Sequence, residues 1–293
     1  MSEMTAVERR PLPPSPPFLA SSLRVFDLSL GEMLWSKRTI FMALVVGAPV
    51  LLALLLRALV ALGAPIFDSH EVRGGVSQTV RMTGPAIFGL MIWVFYLRFT
   101  VPILGVFYGT SLMADEVEDK TITYLFTRPV RRGAVLVGKY LAYLACTVFV
   151  VLPSVTLVYL LIVPMNGSLG GSFLDLVKDL ALLAVGLAVY GALFAFIGAK
   201  FKRPILIGLI FILGWEQAAL AFPGYLKKFT VAYYLQSLVP HAMPSDSTLT
   251  LIQGIFRDNP SLPVSLLALA AILIVFLALA AWLVERREYV LEQ

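Results

Sequence analysis

Six long apolar runs, each bounded by charged or proline-bearing stretches, set the pattern of this chain: Thr39–Leu62, Pro85–Met113, Ala134–Val163, Phe173–Ala199, Pro204–Phe222 and Pro263–Val284. About 20 helical residues cross roughly 30 Å of hydrocarbon, whereas a spanning strand needs only about 10, so each run predicts one transmembrane helix. The expected fold class is all-α, a polytopic membrane protein with six transmembrane helices. Ahead of the first run, residues 23–38 place Val25, Phe26, Leu30, Met33 and Leu34 near one helical face, with Arg24, Asp27 and Lys37 elsewhere. Such an amphipathic N-terminal helix either lies in the headgroup region or extends the first span. Residues 223–262 are too many for a structureless loop. Their apolar patches, FTVAYYLQSLV and LTLIQGIF, are too short to span. They predict short re-entrant or interfacial helices packed against protein, or a folded cap. The division that follows is a Pro-rich tail over 1–22, the amphipathic helix over 23–38, a six-span domain over 39–284 and a short C-terminal tail over 285–293.

Composition agrees with a lipid environment. The chain is 59% hydrophobic and 14% charged, against roughly 45–50% and about 25% in soluble domains, and its mean hydropathy is +0.87. Of 23 lysines and arginines, Arg57 and Arg98 fall inside runs and six (Arg73, Arg81, Lys178, Lys227, Lys228 and Arg257) fall on one side, leaving 15 on the other. Basic residues collect on the cytoplasmic side, so both termini are expected there, in a cell membrane such as a bacterial inner membrane. The net charge of +5 is therefore read as topological; it forms no basic patch interleaved with aromatics, which argues against nucleic acid as a partner. Cys146 stands alone inside an apolar run, so neither a disulfide framework nor a thiolate metal site follows.

The connection between runs two and three, residues 114–133, is then a cytoplasmic loop, and its polarity needs a reason. Asp115, Glu116, Glu118 and Asp119 suit a helix start, where negative charge complements the macrodipole. Pro129 keeps Arg128 out of the helical region, so a helix of about three turns should stop near Thr127. The stretch EVEDKTITYLFTRPVRRGAVLVGK, Glu116 to Lys139, resembles the signature of type-2 permeases of ATP-binding-cassette transporters: an acidic cluster, a threonine, an apolar triplet, a proline, then Arg-Gly and Gly-Lys. Here these are Glu116, Glu118, Asp119, Thr121, Tyr124, Leu125, Phe126, Pro129, Arg132, Gly133, Gly138 and Lys139. Lys120 and Ala134 depart from the pattern, standing where glycine and an acidic residue are usual. The resemblance implies that the loop docks as a coupling helix on a separately encoded cytoplasmic ATPase. It also implies that two permease copies, identical or related, pair around the path, and that export is the common direction.

Absent motifs point the same way. No G-x-x-x-x-G-K-[ST] loop occurs, so ATP is expected to be bound by the partner, with no cofactor, metal or catalytic residue in this chain. Neither H-E-x-x-H nor G-x-S-x-G is present, which removes the usual routes to a membrane hydrolase. Two rivals remain: an ion-gradient-driven secondary transporter or channel, which should show an internal repeat or paired broken spans, and a membrane scaffold that moves nothing. Among ionisable groups inside the runs, Arg57 can snorkel from near a membrane end. Arg98 and Glu216, counted inward from the cytoplasmic ends at about 1.5 Å per residue, reach depths of roughly 25 and 20 Å. They can meet across runs two and five, either lining the permeation path or fixing the packing. Ala184, Ala188 and Ala192 form a small-residue stripe on run four that permits close helix approach.

Overall fold

The computed structural model describes residues 17–35, 37–63, 68–73, 76–81, 83–118, 132–165, 167–221, 225–239 and 260–286. Helix α1 covers Phe18–Leu34 and α2 covers Lys37–Ala61. Strands β1 (Asp68–Arg73) and β2 (Val76–Arg81) follow, then α3, the span Gly84–Ala114. Helix α4 is Arg132–Ile162, α5 is Phe173–Lys200, α6 is Pro204–Leu220, α7 is Val231–Ser237 and α8 is Leu262–Arg286. Five of these helices (α2, α3, α4, α5 and α8) are long and apolar enough to cross a membrane, and α6 is a shorter apolar helix. All six lie within two residues of the runs read from the sequence.

The helical reading holds for the membrane part, but the connection between α2 and α3 is an antiparallel hairpin with Arg73 opposite Val76 and Asp68 opposite Arg81. Only Gly74 and Gly75 separate the strands, a two-residue glycine connection of the kind that tight hairpins favour.

Helix α5 is the axis of the bundle. Of its apolar stretch 67% is buried, against 28% for α2 and 17% for α8, so the latter two leave most of their surface for lipid or for another chain. Tyrosines fill the core around α5, and each of those below bonds a neighbouring element. The Tyr140 and Tyr143 hydroxyls on α4 donate to the carbonyls of Ala188 and Leu187 at 2.8 and 3.0 Å. Tyr96 on α3 pairs with Ser154 on α4 at 2.9 Å. A phenol in a membrane core is tolerated because its one polar atom finds a partner there. Ala192 is fully buried and Ala188 supplies a bonded carbonyl, so the small-residue stripe on α5 serves close packing.

Two helices are locally widened. In α3 the segments Ile92–Thr100 and Gly105–Gly109 are π-helical, and in α6 so is Phe211–Glu216. The chain supplies a cause in α3: Pro102 has no N–H to give the Arg98 carbonyl four residues back. At the opposite end of the span, Gly84 donates to the Met165 carbonyl at 2.8 Å, tying the start of α3 to the exit of α4. Arg57, near the end of α2, donates to the Leu161 carbonyl at 2.7 Å, where α4 exposes its last unpaired acceptors.

Helix α1 is a separate element, divided from α2 by a turn at Trp35; Thr39 donates back to the Met33 carbonyl at 2.6 Å. It already begins at Phe18, behind Pro17, so it takes in the end of the Pro-rich segment. Its packed face combines the buried Ser21, Ser22 and Ser29 with Leu30 and Met33 of the expected apolar face, which are half-buried against the core, while Leu19, Leu23 and Leu28 are exposed. The amphipathic pattern thus places small polar residues against protein and leaves several leucines outward. In the segment after α6, a 3₁₀ turn over Tyr225–Phe229 leads into α7, whose Val231, Ala232, Tyr233 and Leu235 are buried against the bundle. This is the short packed helix expected there; residues 240–259 lie outside the described part.

Candidate functional site

Two regions carry chemistry beyond packing. The first is where α3 ends and α4 begins, on either side of the signature loop. Span α3 continues through a helical segment, Ser111–Glu118, so Asp115, Glu116 and Glu118 lie on its last turns and do not open a new helix. No proline or glycine stands between Ser111 and Glu118, and the α-helix runs on. Asp119, Thr121, Tyr124, Leu125, Phe126 and Pro129 lie outside the described residues, while Arg132 is the first residue of α4.

Around this loop the ends of four helices converge. Met113 of α3, Leu136 of α4, Ala199 of α5 and both Ala280 and Val284 of α8 form a separate buried cluster, each essentially inaccessible to solvent. The signature glycines have a physical role here. A Cβ on Gly138 would stand 2.5 Å from the Ser22 carbonyl oxygen and 2.8 Å from Val25 Cβ, so only glycine lets α1 lie this close to α4. Gly133 faces the Glu285 carboxylate at the end of α8, 2.8 Å from where its Cβ would be. Ala134, Gly138 and Ala142 make a fully buried small-residue stripe at four-residue spacing. That spacing was the available signal for the α1–α4 contact, and the sequence reading singled out only the equivalent stripe on α5. Gly138→Ala should therefore lower stability by about 1–3 kcal/mol, whereas Gly47→Ala, with nothing within 4 Å, should not. Thermal unfolding of the two variants in the same detergent checks this.

The second region is the pair of charged residues between α3, α5 and α6, Glu216 buried and Arg98 half-buried. Arg98 and Glu216 both sit on π-helical segments, which are frequent at functional positions. They share a neighbourhood, yet their direct partners differ from the ion pair expected. The Arg98 guanidinium donates to the Gln217 side-chain carbonyl and lies 5.7 Å from the Trp93 ring centroid. Glu216 is 2% exposed and accepts the Tyr190 hydroxyl, which lies 2.8 and 2.7 Å from its two oxygens. The backbone N–H groups of Val231 and Ala232, in the first turn of α7, also face this carboxylate. Thr230 accepts from Tyr233 N at 3.4 Å, so the start of α7 has an acceptor at each of its first three donors. Glu216 thus acts as a cap supplied from another helix, and it pins the segment between α6 and α8 to the membrane core. At its other end α7 is held by Ser237 and Ser265, 2.7 Å apart.

Tyr190, Gln217 and the fully buried Asp179 of α5 were not singled out from the sequence. For Tyr190 the only signal was a phenol inside an apolar run, where its hydroxyl needs a partner. Among the described residues no group of three or more His, Cys, Asp or Glu side chains could hold a metal ion.

No curated protein matches the chain. The family described as ABC-2 family transporter protein matches residues 26–289, which take in α2 through α8, both charged regions and most of α1. The chain belongs to the ABC-2 family of transporter proteins.

Proposed function

We propose that this chain is the transmembrane permease subunit of an ATP-binding-cassette exporter, one of two copies, working by alternating access with a separate cytoplasmic ATPase. In this reading α6 completes six spans and both termini lie in the cytoplasm, in keeping with the 15 to six distribution of basic residues. The observation that carries the proposal is the convergence of α3, α4, α5 and α8 on one small buried cluster beside the loop. A movement imposed on residues 116–132 reaches four helices at once through Met113, Leu136, Ala199 and Val284, because close-packed contacts transmit displacement. The chain carries no phosphate-binding loop of its own, so the energy comes from the partner.

The helix α7, capped by Glu216, closes the far side of the same bundle. Release of cargo there requires the outer segment to yield, and the Glu216 contacts are the ones that would break and re-form. Recovery of the chain from membranes in mild detergent, followed by mass spectrometry of its companions, tests the reading. An ATP-binding-cassette ATPase in stoichiometric amount is the expected companion. Its consistent absence would favour a gradient-driven transporter or a scaffold.

A further inference from the structure

Arg98 and Glu216 are opposite charges in one neighbourhood, but they are not equivalent. The carboxylate is sealed, 2% exposed, with the Tyr190 hydroxyl on its oxygens and two backbone N–H groups facing it. Arg98 is half-buried, and its partners are a neutral amide and an aromatic ring. A guanidinium has five N–H donors, and Gln217 takes up one. Arg98 also sits near the middle of the 31-residue apolar helix Gly84–Ala114. A cation at that depth is costly against hydrocarbon and is kept where it meets an anion or lines a polar cavity. Phe99 on the same segment of α3, and Leu213 and Trp215 on the α6 segment that leads to Gln217, are exposed apolar residues.

From this asymmetry we infer that Arg98 is a cargo-binding residue and that the cargo is an anionic amphiphile: one negative head, which takes the free guanidinium donors, on an apolar body that lies along Phe99, Leu213 and Trp215. The inference rests on the permease reading, which makes this surface part of the path. The sealed position of Glu216 matters to it. Because that carboxylate is held by Tyr190 and α7, it leaves the donors of Arg98 open to cargo. A guanidinium with open donors accepts carboxylate, sulfate or phosphate heads and repels quaternary ammonium.

Trp93, beneath Arg98, provides the readout. The Trp35→Phe, Trp282→Phe protein, which retains Trp93 and Trp215, is placed in uncharged-lipid nanodiscs and titrated with 2-bromododecanoate, whose bromine quenches indole next to the head group. The matched probe is a 2-bromododecyl trimethylammonium. Saturable quenching by the anion at a concentration at least about tenfold lower than by the cation is expected, given a guanidinium whose one hydrogen-bond partner is a neutral amide. Arg98→Gln should bring the two probes level. Arg98→Lys and Gln217→Leu, which both keep a positive charge, should retain the preference for the anion. Equal quenching by both probes in the unsubstituted site, or an unchanged preference in Arg98→Gln, overturns the assignment. The permease reading is judged separately, by ATPase capture from the same preparation. Capture without sign preference removes the cargo inference alone, and sign preference without capture removes the ATP-driven reading alone.

Discussion

Alanine at Tyr124 or at Phe126 is expected to abolish both ATPase co-purification and cargo-stimulated ATP hydrolysis, with the permease still inserted and folded. With Leu125, these are the large apolar residues of the polar loop between α3 and α4. A docking helix draws most of its binding from such anchors: truncating a buried aromatic typically costs about 2 kcal/mol or more, whereas charges at the rim chiefly alter association rate and salt dependence. Glu118→Gln should therefore only weaken the complex, and more visibly at high salt. As docking anchors for a partner they should leave the thermal stability of the permease alone unchanged. The assay is reconstitution with the captured ATPase, scoring complex recovery beside permease melting. Normal coupling in both aromatic variants would show that force does not pass through them.

The second large effect is at Glu216. Glu216→Ala leaves the Tyr190 hydroxyl and the first N–H groups of α7 without their acceptor inside the bundle. Leaving buried neutral donors without an acceptor costs about 1–3 kcal/mol for each group, so this variant should lose more than any single-bond deletion at the site. Tyr190→Phe removes one donor to the carboxylate and should cost about 1.5–3 kcal/mol, the range for a hydrogen bond to a charged group. Glu216→Gln keeps a carbonyl acceptor and should fall well short of the alanine variant. A double-mutant cycle in thermal or denaturant unfolding should find Tyr190 and Glu216 strongly coupled, and Arg98 coupled to Gln217 more than to Glu216. Simple additivity between Tyr190 and Glu216 would contradict the geometry.

The long apolar helices were legible in the sequence because hydrocarbon imposes two demands that leave a plain record: about 20 apolar residues for each crossing, and charge at the ends. Glu216 was legible as unusual for the same reason, since a carboxylate within an apolar run has no cheap explanation. Its partners were not. Tyr190 and the start of α7 reach it only through tertiary placement, and depth along two spans could not show that Arg98 would turn to Gln217. The α3–α4 junction divides the same way. Gly133 and Gly138 stood out by resemblance, while their reason, the approach of Glu285 and of the Ser22 backbone, belongs to packing. The glycine pair between β1 and β2 was a usable hairpin signal, but the flanking strands carry little of the apolar alternation that marks a half-buried sheet. The π-helical segments left one trace in the sequence, Pro102, and none in α6.

The central claim is that the loop between α3 and α4 faces a cytoplasmic ATPase. A Lys120→Cys substitution in a Cys146→Ala background, which removes the chain's one native thiol, tests it most directly. The account predicts that an impermeant maleimide labels position 120 in inverted membranes and not in intact cells. It also predicts that a short bifunctional reagent joins this cysteine to the captured ATPase. Labelling of position 120 from outside intact cells, or a captured ATPase that never crosslinks to it, would contradict the account.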